Sequence, residues 1–111
     1  MKVVFHLSQI RADEVRKALR NIENLREENS DAEIHAVSNT SAVTMAKQGS
    51  QFEDKIKKLI DEKNVVFNAC ANSIRETDME RDDLIENVEV VSSGVSELAD
   101  LQSEEFGYIK P

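Results

Sequence analysis

The sequence has few of the residues that crosslink or interrupt small proteins. Its 111 residues include one cysteine, one proline, three glycines and no tryptophan. A single cysteine cannot form an intramolecular disulfide, so a hydrophobic core must stabilise the fold. A chain of this length buries roughly two-thirds of the surface that its unfolded form exposes. We therefore expect one domain over residues 1–111, with no cofactor needed for stability.

An excess of positive charge and long apolar runs are also missing. The 22 acidic and 14 basic residues give a net charge of -8, which opposes binding to nucleic acids and to anionic lipid surfaces. The apolar run at 3–5 stops at His6, and no stretch approaches the roughly 20 apolar residues of a membrane-spanning helix. We expect a cytoplasmic protein that binds neither nucleic acid nor membrane and keeps its thiol reduced.

The sequence does contain short runs rich in β-branched and aromatic residues. These runs alternate little between apolar and polar positions, which favours strands buried on both faces of a sheet. The predicted strands cover 3–7, 33–37, 65–70, 88–91 and 108–109.

Helical patterns separate these strands. Apolar residues at helical spacing, together with capping-box patterns, indicate helices or helical turns. They are predicted at 12–28, 41–47, 52–61 and from a cap at Ser93 to an end at Gly107. Capping-box patterns at 73–76 and 77–80 predict one short helical turn after Cys70 and another that leads to 84–85. Because each parallel strand pair needs a crossover, this order predicts an α/β domain with a mostly parallel five-stranded sheet. Helices on both faces would make it a Rossmann-like or flavodoxin-like three-layer fold.

Polar residues follow the predicted strands at the edge where ligands bind in such sheets. His6, Asn39, Cys70 and the pair Ser92–Ser93 all fall at carboxyl ends of strands. If the first and third strands are neighbours, His6 lies close to Cys70. The sequence therefore predicts a site at this edge of the sheet.

Cys70 is the candidate reactive residue of this site. It precedes a predicted helix start capped at Ser73, and the free amides of a helix N-terminus lower a thiol pKa. Arg75 supplies a nearby positive charge. In the alternative interpretation Cys70 is a small buried hydrophobe, and spacing alone favours that interpretation.

Several segments resemble the DsrE/DsrF-like family, and the resemblance covers essentially the whole chain. The similar segments lie at 3–6, 70–73, 94–98 and 107–111. The resemblance implies a compact parallel α/β fold and assembly as trimers or hexamers. The family includes sulfur-relay subunits of bacterial sulfur oxidation and of tRNA thiolation.

The resemblance also implies roles for individual residues. Cys70 matches the cysteine that carries a persulfide in relay members, Asn72 and Ser73 match the pair that follows it, and His6 matches a histidine of the first strand. The chain departs from the family after the second strand, where 38–41 has no glycine.

Other chemistries are disfavoured by the residues present. Two histidines and one cysteine make no spaced metal-binding set, so we expect no metal. The turn at 7–11 has no glycine, which disfavours dinucleotide or nucleoside triphosphate binding, and we expect no cofactor. His35 is read as an ordinary strand residue.

Three functional hypotheses remain open. In the leading one, Cys70 accepts a sulfane sulfur as a persulfide and passes it to a partner thiol. In the second, the chain is a small-ligand-binding or oligomeric assembly module with an inert Cys70. In the third, His6 and Cys70 form a base–nucleophile pair, which requires the two side chains within roughly 3 Å of each other.

Overall fold

The computed structural model describes all residues from Met1 to Pro111. Its strands are β1 (Lys2–Leu7), β2 (Glu33–Ser38), β3 (Val65–Cys70), β4 (Glu89–Val91) and β5 (Gly107–Ile109). Its α-helices are α1 (Ala12–Glu28), α2 (Glu53–Asp61), α3 (Ala71–Glu76) and α4 (Gly94–Ser103), and 3₁₀ helices cover Thr40–Ala46 and Arg81–Asp83.

The five strands form one sheet in the order β4-β3-β2-β1-β5, and every pair in it is parallel. The chain adds β2, β3 and β4 on one side of β1 and then returns to place β5 on the other side. β1, β2 and β3 lie in the interior of the sheet, which explains their apolar, weakly alternating sequences. The predicted parallel α/β fold is confirmed.

Helices cover both faces of the sheet, and each face has its own core. On one face α1 and α2 contribute Val15, Leu19, Ile22, Ile56 and Leu59 to a cluster of 24 buried residues. On the other face α4 packs alone, and the five residues of this smaller core are Val4, Val37, Leu98, Leu101 and Phe106. The three-layer arrangement is therefore confirmed, with one thick and one thin helical layer. None of the helices combines the length and apolar character that crossing a bilayer requires.

Three local predictions are wrong, and each error involves an element boundary. The helix after β3 begins at Ala71 with Cys70 as its N-cap, so Ser73 lies inside the first turn. The capping box further along the chain joins Glu80 and Asp83 rather than occupying 77–80, although the turn it begins, Arg81–Asp83, leads to Leu84 as predicted. α4 ends at Ser103, and Gly107 begins β5.

The first and third strands are not neighbours. β2 lies between β1 and β3, pairing with both of them. The condition under which His6 would lie next to Cys70 is therefore not met, and any link between these residues must pass through the end of β2.

Candidate functional site

The only cysteine lies where a strand turns directly into a helix. Cys70 is the last residue of β3, and its extended backbone (φ -75°, ψ 121°) makes it the N-cap of α3. Its side chain is 5% exposed. Because the first amides of a helix have no partner within that helix, the sulfur lies beside N–H groups that can stabilise negative charge.

A second helix begins against the same cysteine. α4 starts at Gly94, after Ser93, whose Oγ accepts a hydrogen bond of 3.2 Å from the Ser96 N–H. A Cβ on Gly94 would lie 3.3 Å from Cys70 Cβ and 3.2 Å from Asn39 Cβ. Such contacts are tighter than nine in ten real Cβ contacts, so glycine is what allows α4 to approach the ends of β2 and β3 this closely.

The surroundings of Cys70 favour its thiolate. Burial raises the pKa of the thiol, but the Ser73 side chain and the Ser73, Gly94 and Asn72 backbone N–H groups lower it by more. The net pKa lies below the ordinary value for cysteine. The neutral thiol makes no capping hydrogen bond to α3. These donors therefore lower the pKa by stabilising the charged form.

The Ser73 hydroxyl connects the thiol to the turn that follows β2. Its Oγ accepts a hydrogen bond of 2.7 Å from the Thr40 N–H, which leaves the hydroxyl proton free to point at the sulfur. Thr40 has a φ of 57°, in the left-handed region that β-branched residues rarely adopt. Glycine occupies this region without steric cost, but the turn at 38–41 contains no glycine, so a strained threonine adopts the conformation and is held by Ser73.

His6 is connected to the site by a hydrogen bond to Asn39. Its Nε2 lies 2.9 Å from Asn39 Oδ1, and its Nδ1 lies 2.6 Å from the Tyr108 hydroxyl oxygen. Since Oδ1 only accepts, the neutral ring donates from Nε2 and accepts the Tyr108 proton at Nδ1. Asn39 is 9% exposed and packs against Gly94. The side-chain NH₂ of Asn39 makes no hydrogen bond and remains available as a donor at the site.

The sheet edge thus brings together most of the predicted residues. Asn39 and Cys70 meet at the first turn of α4. Ser73 and Asn72 provide donors to the thiol from the first turn of α3. The ring nitrogens of His6 are engaged by Asn39 and Tyr108, so the arrangement does not support a base–nucleophile pair with Cys70.

Arg75 was expected to favour the thiolate, but its side chain is directed elsewhere. Its guanidinium donates to the side-chain oxygen of Asn72 on the exposed side of α3. It is not among the groups that lower the Cys70 pKa. Arg75 therefore positions Asn72 rather than the sulfur.

Sequence reasoning missed the site roles of Gly94, Tyr108 and Thr40. A glycine directly after a capping serine was the available signal for Gly94, because a first helical position gains nothing from glycine unless another chain segment approaches. Tyr108 and Thr40 carried no such signal, since their contacts depend on the strand order. No group of three or more His, Cys, Asp or Glu side chains is arranged to hold a metal ion.

Together the fold and the site define a small parallel α/β protein with a buried cysteine at the end of its third strand. The sequence profile of the DsrE/DsrF-like family matches residues 1–111, and the chain belongs to that family.

Solved structures share the fold of this chain. A protein of unknown function, MTH1491 from Methanobacterium thermoautotrophicum, is 33% identical with a TM-score of 0.94, and the match covers 99% of this chain and 98% of that one. The ychN protein from E. coli is 19% identical with a TM-score of 0.82, covering 99% and 97%. The protein BT1422 from Bacteroides thetaiotaomicron, also of unknown function, is 12% identical with a TM-score of 0.82, covering 99% and 94%. The last two likenesses concern the fold alone. A comparison with curated proteins found no match.

Proposed function

We propose that this protein carries sulfane sulfur as a persulfide on Cys70 and passes it to a partner thiol. The observation that carries the proposal is the position of the sulfur between the N-termini of α3 and α4, where N–H and hydroxyl donors favour the thiolate. A thiolate, and not a thiol, attacks sulfur. Membership of the DsrE/DsrF-like family supports a sulfur-relay-like role.

Loading and release each exchange one S–S bond for another. In loading, the Cys70 thiolate attacks the outer sulfur of a persulfide or polysulfide donor, and the electron pair of the broken S–S bond leaves with the donor thiolate. In release, the thiolate of an acceptor attacks the outer sulfur on Cys70, and the Cys70 thiolate departs. The chain has no second cysteine, so the acceptor thiol must come from another molecule.

The donors around Cys70 suit both steps. Because Cys70 is the leaving group in release, a lowered thiol pKa speeds its departure as well as populating the attacking form. The NH₂ group of Asn39 can donate to the transferred sulfur, and His6 fixes the direction in which that group points. The thiol is only 5% exposed, so a small donor, or a local opening at Gly94, is needed for access.

Replacing Cys70 with serine tests this proposal directly. Wild-type protein incubated with a low-molecular-weight persulfide should gain the mass of one sulfur atom, and dithiothreitol should remove it. The Cys70→Ser variant should gain none, while Ser96→Ala, which changes an exposed hydroxyl on α4, should label like wild type. Circular dichroism checks that both variants fold. Equal labelling of Cys70→Ser and wild type would overturn the proposal.

The burial of Cys70 favours one alternative, a ligand-binding or assembly module with an inert thiol. An open groove beside the site could serve such a role, and its lining residues are His6, Val95, Leu98, Ala99, Gln102 and Tyr108. In that case, Cys70 would react only after unfolding, and any ligand would still bind to Cys70→Ala.

We also propose that the protein assembles as a homo-oligomer, a trimer or a hexamer, through the surface formed by α4 and β5. Three large apolar side chains are exposed there: Val95 at 69%, Tyr108 at 43% and Ile109 at 39%. β5 is also an edge strand whose outer backbone groups are unpaired within the sheet.

Light scattering coupled to size-exclusion chromatography tests the assembly. The wild-type mass should be three or six times that of the monomer, and Val95→Asp should reduce it because a carboxylate is costly to bury. Lys17→Asp, which places a carboxylate on an exposed position of α1 and changes the net charge by even more, should leave the mass unchanged. A monomeric wild-type protein would contradict this proposal.

A further inference from the structure

Away from Cys70, a cavity lies between α1 and the start of α2. It has a volume of about 270 Å³ and is open to solvent. Its six lining residues are Arg16, Leu19, Arg20, Gln51, Phe52 and Lys55. None of them belongs to the site at the sheet edge, so the cavity needs an explanation of its own.

The charge of this cavity is opposite to that of the whole protein. Three of its six lining residues are cationic and none is acidic, although the chain has a net charge of -8. Its base is apolar, because Leu19 is buried and Phe52 packs against the larger core. A cationic rim above an apolar base favours an organic anion whose body is apolar and whose charge is concentrated at one end.

The two arginines are presented together on α1. Arg16 and Arg20 are four residues apart, so their side chains project from the same face of the helix. The guanidinium of Arg16 donates to Gln51 Oε1 at 3.3 Å, whereas Arg20 makes no hydrogen bond or ion pair within the chain. Like charges at this spacing destabilise a helix, so stability does not account for the pair.

Lys55 supplies the third charge from α2. Its ammonium group donates to Glu23, and the same carboxylate accepts an ion pair from Lys58 at 3.2 Å. Two lysines therefore share one carboxylate, which holds Lys55 at the rim without cancelling the local positive charge. Glu23 has a pKa below its ordinary value because of its hydrogen bond to Lys55, with burial opposing the shift, so the pairing persists at neutral pH.

We infer that this cavity binds the phosphate group of a small organic phosphate monoester. A phosphate monoester carries a charge of about -1.5 to -2 and three acceptor oxygens. Two arginine guanidinium groups and a lysine therefore match a phosphate better than they match a carboxylate, which has a single negative charge. Its organic body would lie on Phe52 and Leu19. The volume limits the ligand to about the size of an aryl or pentose phosphate.

Calorimetric titration with phenyl phosphate tests the inference. We expect saturable binding at one site per chain, with inorganic phosphate and benzoate each binding at least about tenfold more weakly, because one lacks the apolar body and the other lacks the dianion. Equal affinity for benzoate, or no binding of phenyl phosphate, would overturn the assignment.

Charge-removing variants locate the site. Arg20→Gln and Arg16→Gln should each weaken phenyl phosphate binding by about tenfold, because each removes a charge-assisted hydrogen bond donor. Lys17→Gln removes the same charge from an adjacent exposed position that does not line the cavity, and it should bind like wild type. Both arginine variants should unfold at or slightly above the wild-type temperature, since each removes one charge of a mutually repelling pair. Equal weakening by all three variants would show nonspecific charge attraction and overturn the site.

Discussion

Replacing Gly94 with valine should destabilise the protein by about 1–3 kcal/mol and disturb the reactivity of Cys70. Even a Cβ at this position would stand 3.2 Å from Asn39 Cβ and 3.3 Å from Cys70 Cβ, and valine adds two methyl groups beyond it. The gain in helix propensity over glycine is only a few tenths of a kcal/mol, too small to offset the overlap. Urea unfolding measures the change in the free energy of unfolding.

Gly107→Val is the matched control for this experiment. A Cβ on Gly107 would have its nearest contact at 3.7 Å, with the Lys2 carbonyl oxygen, which is an ordinary van der Waals distance. Valine also suits a strand, and Gly107 is the exposed first residue of β5. We expect a change within about 0.5 kcal/mol.

The rate of alkylation of Cys70 separates a local effect of Gly94→Val from a global one. If α4 shifts away from β3, the thiolate loses the Gly94 N–H as a donor, and labelling by iodoacetamide at neutral pH should change severalfold even where the protein remains folded. Stability and labelling that both match wild type would mean that the first turn of α4 does not constrain the site.

The strands could be predicted from the sequence because their signals are local. The buried runs at 3–7 and 65–70 are rich in β-branched and aromatic residues, and β1 and β3 form within a residue of those limits. The order of the strands in the sheet is not local. It depends on how each crossover packs, and nothing in the sequence near His6 or Cys70 indicates that β2 lies between them.

Only part of the site could be predicted, because local sequence indicates some of its residues and not the packing that brings the others to it. Cys70 and Asn39 follow strands, so their place at one edge of a parallel sheet could be inferred. The helix start could not, because cysteine is not a usual N-cap residue and Ser73 matched the capping pattern better. Ser73 instead lies in the first turn of α3, where its hydroxyl helps to stabilise the thiolate.

The strained backbone conformation of Thr40 likewise could not be predicted from the sequence. A threonine gives no sign that it adopts a left-handed conformation, and the conformation persists only because neighbouring groups hold it. Here the Ser73 hydroxyl accepts the Thr40 N–H, so the residue that helps the thiolate also fixes the turn after β2.

Ser73→Ala should raise the pKa of the Cys70 thiol and slow its alkylation at neutral pH severalfold. The variant removes the hydroxyl that opposes the effect of burial, while the Gly94 and Asn72 amides remain. The measurement is the pH dependence of the alkylation rate in folded protein. The midpoint should lie below the ordinary cysteine value in wild type, higher in Ser73→Ala, and at the wild-type position in Ser96→Ala.

The lowered pKa of Cys70 in the wild-type protein also predicts how the free energy of unfolding depends on pH. Because the pKa of Cys70 is lower in the folded chain than in the unfolded chain, the thiolate stabilises the native state fully above the unfolded pKa. That contribution is lost as the pH falls through the folded pKa. The difference in unfolding free energy between wild type and Cys70→Ser should therefore increase from about pH 6 to about pH 10. A difference that stays constant over this range, with an alkylation midpoint at the ordinary cysteine value, would make Cys70 a structural residue and leave the chain without an activated thiol.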